Sequence, residues 1–268
     1  MDILIAIFLF VIGAMMGSFA CCQVWRLKKH DHSKRSHCMK CKYQLKWYDN
    51  IPIVSWLMLG GRCRKCKKKI GCAEILAEVG LGVIFVLSYL CWPRYGGLMT
   101  GELFEIERFV IFLALLVALT ISFIFDLRWK ELPMASLIAG IVIAALMLGV
   151  NIAEMLMLGE FNVGVVISIA GALMVLPLLY FVMYKISRER WVGSGDWILN
   201  IALALALGDF WLAIFAMFLA NFLGCLAFLP SALKKKNMNM KIPFGPFLIA
   251  AFWIVYLAQG IIFNLVAI

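Results

Sequence analysis

Apolar runs of about 20 residues, separated by short charged loops, recur along the whole chain and leave it few folds. A run of that length crosses the hydrocarbon core of a bilayer as an α-helix. Lipid offers no hydrogen-bond partner to a bare backbone, so the spanning elements are helices unless a barrel closes. Eight runs stand out, near residues 2–25, 73–92, 107–125, 133–152, 162–185, 195–208, 209–231 and 243–267. The sixth is short and merges into the seventh at Gly208-Asp209. The expected fold class is an all-α polytopic membrane protein of seven to eight transmembrane helices, with the lipid bilayer as its solvent. Composition agrees: 65% of the chain is hydrophobic and only 15% charged, against roughly half and a quarter in soluble domains.

The net charge of +10 does not point to nucleic acid, because the charges sit in short loops beside apolar runs. Residues 2–25 lack a basic leading segment and are too long for a removable signal, so they read as a retained helix. If the N-terminus lies outside, the inner segments are 26–72, 126–132, 185–194 and 232–242. These hold 14, 2, 3 and 4 of the Lys and Arg residues, 23 of the 25 in the chain. Only Arg94 and Arg108 fall outside, among Glu102, Glu105, Glu107, Glu154 and Glu160. This is the positive-inside pattern of a multi-pass membrane protein. It divides the chain into a first helix (1–25), a cytoplasmic loop domain (26–72) and a membrane domain of about seven helices (73–268). No internal repeat is visible.

The loop carries Cys38-Met-Lys-Cys41 and Cys63-Arg-Lys-Cys66, two C-x-x-C pairs with 21 residues between them. Each pair can wrap one side of a tetrahedral ion, and four thiolates are the ligand set of a closed structural zinc site. Lys40, Lys42, Arg64, Lys65 and Lys67 surround the thiols and favour their ionised form. Paired disulfides or a redox dithiol are the competing readings, and the reducing side of the membrane disfavours the first. A loop of this size builds little core, so a metal would supply much of its folding energy. Cys21, Cys22, Cys91 and Cys225 read as small apolar residues, and Cys72 as a spare thiol.

His30, His32 and His37 are the only histidines, all in this loop. That excludes a Ser-His pair within the membrane and the H-E-x-x-H motif. Any intramembrane chemistry falls to carboxylates, which are costly at that depth and functional candidates for that reason. Asp126 ends the third run and Asp196 opens the sixth within Gly193-Ser-Gly195-Asp196, both at the inner boundary. Two carboxylates sharing a proton suffice for peptide hydrolysis: one activates water, the other polarises the scissile carbonyl. Gly193 and Gly195 permit the close backbone approach that a substrate strand needs. Glu74 and Glu78, on one helix face, are candidates for receiving a basic peptide or shaping a methylation site. The simpler reading of boundary aspartates is helix capping. Asp196 begins a helix and Asp126 ends one, so the helix dipoles make Asp196 the ionised base and Asp126 the proton carrier.

Several motifs resemble the type IV prepilin peptidase family of G-x-G-D membrane aspartic proteases. They are Gly17-Ser18-Phe19 with Trp25-Arg26-Leu27, Trp47-Tyr48-Asp49-Asn50-Ile51-Pro52 through Ser55-Trp56, Gly61-Arg62-Cys63-Arg64-Lys65-Cys66, Glu78, and Ile242-Pro243-Phe244-Gly245-Pro246-Phe247. The resemblance implies cleavage of prepilin or pseudopilin leaders after a glycine at the cytoplasmic face, with Asp126 and Asp196 as the catalytic pair. It also implies N-methylation of the new N-terminus from S-adenosylmethionine in bifunctional members, which carry the tetracysteine loop. The chain departs from the family pattern at Arg128 and Met134, where acids are usual, at Trp197-Ile198-Leu199, where x-K-L is usual, and before Glu78, where R-Y-P is lost. A non-catalytic assembly factor with a zinc-loop docking module and a transporter are the alternatives.

Overall fold

A computed structural model describes residues 2–29, 36–38, 40–187, 193–233 and 243–266. His30, His32, Met39, Arg188, Arg190, Lys234, Lys235, Lys236, Lys241 and Ile242 lie outside the described residues. Each of the eight apolar runs is helical. Six helical stretches among the described residues are long and apolar enough to cross a membrane. They are α1 (Asp2–Lys29), α3 (Cys72–Leu90), α5 (Leu103–Trp129), α6 (Met134–Leu158), the run Val163–Ser187, and Phe210–Ala227 within α10 (Phe210–Leu233). The short helices α2 (Val54–Met58) and α4 (Tyr95–Thr100) lie in the connections.

The run Val163–Ser187 comprises α7 (Val163–Leu173), a π-helical turn (Met174–Leu178) at Pro177, and α8 (Leu179–Ser187). α11 (Gly245–Leu257) and α12 (Gln259–Val266) are halves of a seventh span bent by 71°. The sixth apolar run becomes α9 (Ser194–Leu207), only 14 residues long. It stops at Gly208, whose φ of +62° is left-handed, and α10 begins two residues later. That is the merger expected at Gly208-Asp209.

The chain divides into two compact units at Leu90–Cys91. In the first, α1 and α3 pack through small residues, the usual device where no hydrophobic drive separates helix from lipid. A Cβ on Gly17 would lie 2.5 Å from the Ala77 carbonyl oxygen and 2.7 Å from the Glu78 Cα, and one on Gly13 2.7 Å from the Gly82 Cα. Gly17 therefore sets how closely the Glu78 backbone passes α1.

In the second unit α9 is nearly enclosed, packing on α6, α7, α8, α10, α11 and the π turn. Gly140 of α6 faces Ala202 of α9, and Ser122 of α5 hydrogen-bonds Ser136 of α6 at 2.9 Å. At the Trp92 end of this unit, Phe112 stacks on Tyr256 with centroids 4.5 Å apart, and the Trp92 ring meets Phe112 edge-on.

Arg94 and Arg108, the two exceptions to the charge bias, both belong to an ionic network. The Arg108 guanidinium donates to Glu105, to Glu154 and, through Nε at 2.6 Å, to Asn151. Arg94 bonds Glu105 and Glu154, and the Trp92 indole N–H donates to Glu105 at 3.0 Å. The Glu105 and Arg108 side chains are only 1% and 7% exposed. Removing one member of a buried pair leaves the other charge without its partner. Arg108→Met should therefore lower stability by about 3 kcal/mol, read from thermal melting in detergent. Adding Glu105→Gln should restore part of the loss.

Candidate metal centre and active site

The Sγ atoms of Cys38, Cys41, Cys63 and Cys66 all lie within 4.8 Å of one another. Cys38 and Cys66 are 3.7 Å apart, and Cys41 and Cys63 4.0 Å. Tetrahedral zinc with bonds of about 2.3 Å requires sulfurs roughly 3.8 Å apart. The four thiols are thus arranged to take such an ion.

The two pairs are local copies of one hairpin, a repeat that the sequence reading missed. In the first, Cys38 N–H bonds Tyr43 O, Lys42 N–H bonds Cys38 O, and Lys42 has φ +53°. In the second, Cys63 N–H bonds Lys68 O, Lys67 N–H bonds Cys63 O, and Lys67 has φ +55°. Backbone bridges His37–Gln44 and Arg62–Lys69 close both at the same offset. Only the left-handed residue four after each first cysteine betrays the repeat, and here lysine rather than glycine fills it.

Within the knuckles, partial burial pushes the Cys38 thiol up, but the N–H groups of Cys41 and Lys40 and two neighbouring thiols bring it down to about 6. The Tyr43 N–H favours the Cys41 thiolate, yet desolvation and three neighbouring thiols push it up to about 11. A metal ion would relieve this crowding by holding all four as thiolates.

The segment between the knuckles is tied to both the second knuckle and α3. Trp47–Asn50 forms one 3₁₀ turn, and its buried Asp49 takes the Arg64 Nε at 2.8 Å and the Lys46 N–H at 3.2 Å. Arg64 also lies over the Tyr48 ring, 5.0 Å from its centroid. Ile53, at φ +61°, donates its N–H to Glu78 Oε2 at 2.7 Å. Glu78 thereby anchors the loop to α3. Glu74 and Glu78 also line a cavity of about 770 Å³, together with Trp25, Arg26, Asn50 and Trp56.

The second unit builds the carboxylate site. Asp126 occupies the last turn of α5, which ends at left-handed Lys130 with Lys130 N–H on Asp126 O at 2.8 Å. Asp196 is the third residue of α9, and its Oδ2 takes the Gly193 N–H at 2.9 Å. Gly245, opening α11, donates its N–H to Asp126 Oδ2 at 3.0 Å. Both carboxylates are buried.

Leu132 joins the two sides. A Cβ on Gly195 would fall 2.6 Å from the Leu132 Cβ, and one on Gly245 would fall 2.8 Å from Asp126 Oδ2 and 3.7 Å from the Leu132 Cδ2. Any side chain at Gly195 or Gly245 would push these elements apart. The Asp196 carboxylate lies within electrostatic reach of Asp126 and of the Tyr180 hydroxyl.

Asp126 and Asp196 are thus buried in one cluster bordered by half-buried Gly195 and exposed Gly193, whereas Glu74 and Glu78 belong to the other unit. Four further residues complete its surroundings. Gly245 and Leu132 hold it together. Tyr180 packs its ring on Phe244 at 5.8 Å and accepts from Asn221 Nδ2 at 3.2 Å. Asn200 lies one turn beyond Asp196 on the same helix face and is fully buried. Pro177 inside an apolar run was a usable signal for Tyr180, and a lone Asn inside another for Asn200. Leu132 stands before Pro133 in the stretch after Asp126, but its contacts with Gly195 and Gly245 carry no mark in the sequence.

The fold and these two sites define a class: an all-α polytopic membrane protein with a four-thiol centre in one unit and a buried carboxylate pair in the other. Residues 11–92 match the bacterial peptidase A24 N-terminal domain. The chain is 31% identical over 195 residues to a prepilin leader peptidase/N-methyltransferase of Myxococcus xanthus, covering 72% of this chain and 53% of that one. It is 29% identical to a protein of the same description from Pseudomonas putida, covering 83% and 71%. A type 4 prepilin-like proteins leader peptide-processing enzyme of Escherichia coli is 47% identical over 62 residues, 23% of each chain. The chain thus spans about half the length of the Myxococcus relative. No solved structure matches. Residues 11–92 are thus similar to a bacterial peptidase A24 N-terminal domain, and most of the chain is similar to prepilin leader peptidase/N-methyltransferases.

Metal binding through thiolates releases protons, so it weakens as pH falls. Protein purified in detergent should carry one zinc per chain by elemental analysis. Cys63→Ser should lose it, and so should the wild type as acid protonates the thiols.

Proposed function

We propose that this protein is a membrane aspartic endopeptidase that removes the leader of type IV prepilins or pseudopilins after a glycine, with Asp126 and Asp196 as its catalytic pair. The observation that carries this reading is the meeting of two buried carboxylates from distant parts of the chain, between Gly193, Gly195 and Gly245. The names of the relatives supply the substrate class.

The helix ends assign the roles. Asp196, in the first turn of α9, is favoured as the carboxylate that takes a proton from the attacking water. Asp126, in the last turn of α5, carries the shared proton toward the scissile carbonyl. Gly245 N–H occupies its Oδ2, which leaves Oδ1 to hold that proton. Water adds to the carbonyl carbon, and collapse of the tetrahedral species expels the new amine, which receives a proton from the pair. The bulk of Leu132 and the neighbouring apolar side chains exclude other water.

The basic loop supports a zinc-type centre on the cytoplasmic side of a bacterial inner membrane, with the N-terminus outside. Zinc held by Cys38, Cys41, Cys63 and Cys66 is structural, fixing the loop against Asp49 and Glu78. The second activity is methylation of the exposed N-terminus. The cavity of the first unit is large enough for S-adenosylmethionine; its Trp25, Trp56, Glu74 and Glu78 would face the sulfonium, and its six Lys and Arg side chains would meet the cofactor's carboxylate. Bound there, the cofactor would supply an electrophilic methyl group, while Glu74 and Glu78 would orient the incoming amine.

Mass spectrometry of the N-terminus of a co-expressed type IV prepilin reports both steps. The wild type should yield a cut, methylated chain. Asp126→Asn and Asp196→Asn should each slow cutting on the order of a thousandfold or more. Cutting that survives either change would remove the pair from the mechanism, and no cutting by the wild type would favour an assembly or transport role. The proton assignment is separately readable by infrared spectroscopy. A protonated-carboxyl band should persist in Asp196→Asn and vanish in Asp126→Asn.

A further inference from the structure

Of the buried side chains among the described residues, Asn200 is the one with both polar atoms orphaned; Trp56 Nε1, on a half-buried ring, also lacks a partner. Asp49, Glu78, Glu105, Arg108, Asp126 and Asp196 all have hydrogen-bond partners, as do the buried serines. Asn200 has 0% exposure, and neither its Oδ1 nor its Nδ2 has one. A buried amide without partners is costly and calls for an explanation.

Its position supplies one. Asn200 follows Asp196 by one helical turn, so both project from the same face of α9 into the interior of the bundle. Its neighbours on α9 include Leu199, Ala202 and Leu203, all buried and apolar. A buried water generally needs about three hydrogen bonds, and on the buried face of α9 only Asp196 and Asn200 carry polar side chains. A peptide group is the better match, because Asn presents one acceptor and two donors to its N–H and C=O. A substrate segment opened for cleavage has backbone groups that lipid and apolar side chains cannot satisfy.

We infer that Asn200 is a substrate-binding residue that pairs with a backbone peptide group of the segment cut between Asp126 and Asp196. This rests on the peptidase reading above. The amide is unpartnered because its partner arrives with the substrate. The resting protein bears the cost, and binding recovers it.

The test is Asn200→Leu, which keeps the branching and the heavy-atom count, adds bulk, and removes both polar atoms. An orphan amide replaced by an apolar side chain should leave the melting midpoint unchanged or raised. Cleavage of a detergent-solubilised type IV prepilin should nevertheless fall on the order of tenfold in kcat/KM. Binding of uncut prepilin to Asp196→Asn should weaken similarly when Asn200→Leu is added. Wild-type cleavage and binding by Asn200→Leu would overturn the inference. Asp126→Asn and Asp196→Asn run alongside as controls. If they stay active, the peptidase pair fails; if they are dead while Asn200→Leu is normal, only the role of Asn200 fails. A wild type that neither cuts nor binds prepilin takes both readings down.

Discussion

A polar side chain inside an apolar helical bundle has to find its partner within the protein, and this requirement organises both units. Charged groups at such depth are tolerated only when paired or hydrogen-bonded. Glu78 is fixed by the Ile53 N–H, and Asp49 by Arg64. Asp126 and Asp196 each hold a backbone N–H from a glycine. Arg108 is saturated by Glu105, Glu154 and Asn151. These partnerships fix which turn of which helix faces inward, and the apolar packing fills in around them. The catalytic proposal uses the same economy, since a carboxylate held by one N–H keeps its other oxygen for chemistry.

Much of this was legible in the sequence, for reasons that differ by element. Apolar runs of membrane length reported the helices directly, and the short run near 195–208 gave the short α9. The paired C-x-x-C spacing announced the four-thiol cluster because metal chemistry fixes both ligand type and geometry. Boundary positions and the absence of histidine beyond the loop singled out Asp126 and Asp196. What pattern could not supply was contact across the fold. Leu132 meets Gly195 and Gly245 only once three distant segments assemble. The Gly245 N–H on Asp126 spans 119 positions of chain. The duplicated knuckle escaped because its repeat lies in backbone angles at Lys42 and Lys67, where lysine is an unexpected occupant. Arg94 and Arg108 looked like exceptions to a charge rule until their glutamates were seen beside them.

The departures from the family pattern now have a physical setting. The pattern that the chain resembles carries further acids near the position of Asp126, whereas here Arg128 and Met134 stand there. The chain also lacks the usual lysine after the G-x-G-D string, since Ile198 takes its place. Glu78, without the usual R-Y-P before it, still reaches the loop through Ile53, so its anchoring role does not need that motif.

The π turn at Met174–Leu178 has a consequence for how this bundle can change over time. A π turn holds about one residue more than an α turn, and each residue advances a helix by roughly 100°. Everything from Leu179 onward is therefore rotated by about that angle relative to an unbroken continuation of α7. Tyr180 owes its place on Phe244, within reach of Asp196, to this phase shift. Losing a single residue near Pro177 would restore an even helix and swing the phenol away while preserving the length and apolarity that a membrane requires. At this point in the chain, counting residues matters more than the choice among apolar side chains.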